Sequence, residues 1–120
     1  MTNGYYGKYD LEAIKILDDF MPDRIFDAHM HLSHIPALGK ELLDFGVYYD
    51  DMAQVFGNRV LRANGIAMPA VKIKTAAERA TMLDFIDKEL IKYPENVAEI
   101  LVCPTDTEEG IEKQLINPRI

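Results

Sequence analysis

Cysteine is nearly absent from this 120-residue chain. Cys103 stands alone, so no internal disulfide can staple the fold. It lies in the apolar run "EILVCP", where a buried, inert thiol is the simplest reading, since no histidine near it in sequence would activate it. Basic residues are also scarce: 13 Lys and Arg face 20 Asp and Glu, a net charge of −7. That field repels a nucleic-acid duplex or an anionic bilayer surface, and both are excluded as main partners. No apolar stretch approaches the length of a membrane span, and "MTNGYYGKYD" lacks the charged-then-apolar layout of a secretory signal. The expectation is a cytoplasmic protein with no membrane contact. Internal repeats, low-complexity tracts and Ser/Gly linkers are missing too.

What is present suits a packed core: 48% of residues are hydrophobic and 28% charged. Residues 1–120 therefore read as one compact domain or a piece of a larger one. In "YDLEAIKILDDFMP", Leu11, Ile14, Leu17 and Met21 recur at helical spacing, with Asp10 as N-cap and Pro22 as stop. "RIFDAHMHL" is a short, largely apolar strand. "PALGKELLDF" predicts a helical turn or two after Pro36 that Gly46 ends. In "DDMAQVFG", Met52, Val55 and Phe56 share a helical face that Gly57 closes, and "GIAMPAV" reads as a short strand.

The clearest helix runs from about Ala76 to Tyr93. Thr75 and Glu78 form a capping box, and Pro94 ends the segment. Ala76, Ala80, Leu83, Ile86, Leu90 and Tyr93 are the predicted buried stripe. "NVAEILVCP" follows, its unbroken Ile100-Leu101-Val102 run marking a strand covered on both faces. "DTEEGIEKQL" opens another helix, with Ile111 and Leu115 on one side. Strands alternating with helices predict a parallel α/β arrangement. "INPRI" comes where such a layout would start its next strand, so a truncated frame is expected.

All three histidines fall within "FDAHMHLSH", residues 26–34. On a strand, side chains alternate faces, so His29 and His31 point the same way, about 7 Å apart at the backbone. Ile25 and Asp27 are expected on that face, and Phe26, Ala28 and Met30 on the other. The histidines fall at the C-terminal end of the strand, where parallel α/β proteins bind ligands. Two converging imidazoles can grip one cation through neutral nitrogens. His-x-His also arises by chance, but two inward-facing histidines each need partners for their nitrogens. Asp27 reads either as a support for the imidazoles from below or as a plain buried, hydrogen-bonded carboxylate. His34 lies beyond the strand, beside Pro36, as a solvated loop residue. Glu108, Glu109 and Glu112 read as a solvated helix face, and Tyr5, Tyr6, Tyr48 and Tyr49 as surface or rim packing.

"RIFDAHMHL" resembles the first barrel strand of the amidohydrolase superfamily, in which Asp-x-His-x-His supplies two metal ligands. "FIDKELIKYPENVAEILVCPTDTEEGIEKQLINPRI" is similar to the amidohydrolase-related group that includes aminocarboxymuconate-semialdehyde decarboxylase, resorcylate decarboxylases and pyrone-dicarboxylate lactonases. The likeness covers residues 10 to 120. It implies the N-terminal part of a TIM (β/α)8 barrel, about three βα units with a helical insert after the first strand. It also implies His29 and His31 as metal ligands, with the other ligands and the catalytic acid–base groups beyond residue 120. Zinc is the ion implied first because imidazole suits it, with manganese as the alternative. The activity implied is hydrolysis or non-oxidative decarboxylation of a small organic acid, lactone or amide. Rival readings are a TatD-type or PHP-type phosphoesterase and a non-catalytic barrel fragment. Homo-oligomerisation is one way to cover the exposed edge of the third strand.

Overall fold

The computed structural model of the chain describes residues 6–33, 43–67, 75–100, 108, 111, 112 and 116–120. Its elements are helix Lys8–Leu17 (α1), strand Arg24–Leu32 (β1), helix Phe45–Phe56 (α2), strand Val60–Ala67 (β2), helix Ala76–Lys92 (α3) and strand Val97–Ile100 (β3). The strands form one parallel sheet in the order β1-β2-β3. The expected α/β alternation is therefore met.

Local hydrogen bonds set the helix ends. The carboxylate of Asp10 accepts the Gly7 N–H at 2.7 Å, so Gly7 is the N-cap of α1 and Asp10 lies inside the first turn. The expected Asp10 N-cap is thus displaced by three residues. A 3-10 turn at Asp18–Phe20 ends this segment before Pro22. Arg59 holds the turn, bonding Asp18 Oδ1 and the Asp18 carbonyl, each at 2.8 Å. No residue of α1 is buried, so the predicted Leu11–Leu17 stripe lies open.

Asp44 Oδ1 accepts the Val47 N–H at 2.8 Å and caps α2. Gly46 consequently sits in the first turn of a helix instead of ending one, because the cap three residues earlier supplies the missing acceptor. The helical turns expected after Pro36 fall on residues 34–42, outside the described residues. Gly57 ends α2 as expected, at φ 58°, and its N–H bonds the Ala53 carbonyl. β2 starts five residues before the Gly65 expected to open it. Met68–Val71, Leu101–Cys103 and Leu115 lie outside the described residues. Glu108, Ile111, Glu112 and Ile116 are helical.

The capping box of α3 is formed: the Glu78 N–H bonds Thr75 Oγ1 at 3.2 Å and the Thr75 N–H bonds Glu78 Oε2 at 3.1 Å. Its buried face, however, is Arg79, Met82, Leu83, Ile86, Glu89 and Leu90. Ala76 and Ala80 are exposed, which corrects the predicted stripe. Positions 79, 82, 86 and 89 form a row with two charged residues, of which Glu89 bonds the Phe45 N–H and Lys92 Nζ.

The core lies between one sheet face and the helices. Met30, Leu32, Ala63, Ala67 and Ala98 meet Phe45, Met82, Ile86 and Leu90. Small residues on β2 and β3 permit the close approach. A Cβ on Gly65 would come within 2.7 Å of Leu32 Cγ and 3.1 Å of Phe45 Cζ. Along the outer side of β3, the Ala98 N–H bonds the Arg119 carbonyl at 2.8 Å, and Ile120 packs on the core. No helix among the described residues is long and apolar enough to cross a membrane.

Candidate metal centre

β1 carries a bulge where the histidines begin. Asp27 pairs with Ala63 and Met30 with Gly65, so three steps on β1 oppose two on β2. One extra residue reverses which parity faces the helices. Asp27 is therefore level with Ala63, Met30 with Gly65 and Leu32 with Ala67, all on the helix-covered face. His29 and His31 are exposed on the opposite, open face. The expectation that Asp27 shares their face is corrected, because the bulge between Asp27 and Met30 shifts the alternation by one residue.

The two imidazoles converge as the spacing predicts. Their Nε2 atoms are 3.1 Å apart, with ring centroids at 5.1 Å and planes tilted by 55°. Asp27 touches neither ring. Its Oδ1 accepts the His29 backbone N–H at 2.9 Å, and its Oδ2 accepts the Tyr48 hydroxyl at 2.6 Å. The carboxylate thus serves an amide that the bulge removes from the strand ladder. Burial raises the Tyr48 hydroxyl far above the usual tyrosine range, aided by its bond to Asp27, so it stays protonated and donating.

Asn64 stands opposite the bulge. It is buried, and its Nδ2 donates to Glu99 Oε1 at 2.7 Å and to the Ala28 carbonyl at 3.4 Å. Asn64 alternates with Ala63 and Gly65, which places it with Ile66 and Glu99 on the histidine face; His31, Ile66 and Glu99 form one row across the sheet.

The donor pair fits a divalent ion. Two nitrogens at about 2.0–2.1 Å from a tetrahedral zinc would be roughly 3.3–3.4 Å from each other, and the observed 3.1 Å is close to that bite. Among the described residues, no group of three or more His, Cys, Asp or Glu side chains is placed to hold a metal. His34, Glu109 and Tyr5 fall outside the described residues. Glu108 and Glu112 are exposed, as expected.

Tyr48 and Tyr49 pack against the edge of the core, as expected. Both are half-buried, and Tyr49 donates to Asn96 Oδ1 at 2.7 Å. Sequence reasoning named Tyr48 without its bond to Asp27, and it missed Asn64. An amide inside the otherwise strand-like "VLRANGIA" was a signal for Asn64; the partner of Tyr48 lies 21 residues away, outside any local window. No protein-family profile, curated protein or solved structure matches this chain.

Proposed function

We propose that this chain forms the opening βα units of a (β/α)8 metal-dependent hydrolase or non-oxidative decarboxylase, with His29 and His31 as two of its metal ligands. The observation that carries the reading is the 3.1 Å separation of the two Nε2 atoms on an exposed sheet face. Their place near the C-terminal end of β1 supports it further, because parallel α/β folds bind ligands at that end. Imidazole donors favour zinc, whereas manganese would need mostly oxygen ligands from elsewhere. When bound, such an ion supplies Lewis-acid polarisation of a carbonyl or carboxylate.

The chain's own residues do the holding. His29 and His31 present two ring nitrogens from one strand. Asp27 satisfies the His29 amide from behind, and Asn64 ties the bulge to Glu99 in front. The substrate in this reading is a small organic acid, lactone or amide, and the setting is cytoplasmic. Two imidazoles fill half of a tetrahedral shell, while catalytic zinc sites have three protein ligands. The 120-residue chain is therefore expected to bind zinc weakly and to turn over nothing at an enzymatic rate.

The test is a zinc and cobalt titration of the purified chain beside His29→Ala and His31→Ala, followed by assays of decarboxylation and of lactone and amide hydrolysis. Binding that disappears in both variants supports the site. Binding that survives in either one places the ion elsewhere and ends the proposal.

A further inference from the structure

We propose that Tyr48 is a positioning residue for the His29–His31 pair, acting through Asp27 on the bulge that turns both imidazoles to the open sheet face. The inference deepens the metal-site reading and rests on it for its metal measurement.

The bulge sets up the problem. Ala28 and His29 lie between the paired positions Asp27 and Met30 and have no partner of their own on β2. A bulge leaves its extra residue outside the ladder, and here side chains bond both intervening residues. On the helix side, Asp27 Oδ1 takes the His29 N–H. That bond spans two residues and leaves the second carboxylate oxygen to be fixed by another element. Tyr48 holds it, from a different element 21 residues away, at 2.6 Å.

Tyr48 is itself well anchored. It sits on α2, which Asp44 caps and Glu89 grips at the Phe45 N–H, and its ring packs edge-on against Tyr49 at 5.4 Å. On the open face, Asn64 Nδ2 reaches the Ala28 carbonyl. The bulge is thus gripped from both sides, and the rings that follow it keep their Nε2 atoms 3.1 Å apart. Outer groups that orient metal ligands typically alter affinity by about 10–100-fold when removed.

Tyr49 is the matched control. It is the next residue on the same helix, also half-buried, and its hydroxyl makes a 2.7 Å bond to Asn96 instead of to Asp27. Removing either hydroxyl deletes one hydrogen bond of similar length, but Tyr48 bonds the Asp27 carboxylate itself, whereas Tyr49 shares Asn96 Oδ1 with the Ala63 N–H on β2, which keeps that acceptor occupied.

The experiment compares the full chain with Tyr48→Phe and Tyr49→Phe. Cobalt binding is followed by visible absorption, and amide hydrogen exchange at His29 by NMR without metal. Tyr48→Phe is expected to weaken cobalt binding by about 10–100-fold, to change the cobalt spectrum and to speed His29 exchange. Tyr49→Phe is expected to move all three much less, because Asn96 keeps its bond to the Ala63 N–H and the Asp27 carboxylate keeps Tyr48. In an Asp27→Ala background the Tyr48→Phe effect should vanish, because the route through the carboxylate is already cut. Equal effects from the two tyrosines, wild-type behaviour in Tyr48→Phe, or an effect that persists without Asp27 would each overturn the proposal. If the wild-type chain binds no cobalt, the metal-site reading has failed, and His29 exchange alone decides the matter. Selective acceleration in Tyr48→Phe then upholds the positioning role, and unchanged exchange ends it.

Discussion

Glu89 Oε2 accepts the backbone N–H of Phe45 at 3.0 Å, joining α3 to the first residue of α2 across 44 positions of sequence. The Phe45 amide belongs to the first turn of a helix, where N–H groups have no partner within the helix. Its neighbourhood is dry, since Phe45 is fully buried and Glu89 is 4% exposed. Lys92 Nζ reaches the other carboxylate oxygen at 3.3 Å. Glu89→Ala would strand a buried donor, with an expected loss of about 1–3 kcal/mol. Glu89→Gln, which keeps an acceptor, should lose less. Urea unfolding of the two variants measures the difference, and wild-type stability in Glu89→Ala would show that the bond contributes nothing.

The observed face of α3 makes a second contrast measurable. Ile86 is 0% exposed, whereas Ala80 faces solvent. Ile86→Ala should cost about 2–5 kcal/mol through lost burial and the cavity left behind. Ala80→Ser should stay within about 0.5 kcal/mol of wild type. A large loss in Ala80→Ser beside the loss in Ile86→Ala would restore the predicted stripe, which buried both residues, and no loss in Ile86→Ala would refute the observed face.

Gly65 has no room for a side chain. Its added Cβ would press on Leu32 Cγ and Phe45 Cζ, at 2.7 and 3.1 Å. Both neighbours are fully buried, so neither moves aside without disturbing the sheet–helix packing. Gly65→Ala is expected to destabilise by about 1–3 kcal/mol as overpacking. Thermal unfolding at the wild-type temperature or above would show that the core yields there.

Alkaline pH should weaken the fold through Tyr48. Its hydroxyl is raised by burial first, then by the Asp27 bond and charge, and burial also raises Tyr49. The folded state thus holds these protons more tightly than the unfolded chain. Their stabilisation is complete below the unfolded value of about 10 and declines as pH rises above it toward the folded value. Denaturation midpoints should therefore fall above about pH 10, and the fall should be shallower in Tyr48→Phe. The same slope in wild type and variant would remove Tyr48 as a cause.

Where the sequence reading held, the deciding contacts were short. The Thr75–Glu78 box joins residues three apart, and Gly57 closes α2 through a bond to Ala53. Such bonds are legible because both partners stand in one window. The stripe on α3 was less legible: counting apolar residues favours Ala76 and Ala80, whereas the helix buries Arg79 and Glu89. Burial of Glu89 depends on an amide from another element, which no window of α3 contains.

By itself, the sequence determined the alternation of strands and helices, two helix boundaries and the shared direction of His29 and His31. These follow from hydrogen bonds within a turn and from the two-residue period of a strand. Tertiary structure alone decided that Asp27 faces the helices while the histidines face away. The bulge exists only in the pairing of β1 with β2, as three steps against two. It likewise decided that Tyr48 reaches Asp27 and that Glu89 serves Phe45. Those contacts bridge 21 and 44 residues, and packing between separate elements selects them, not any local preference of the chain.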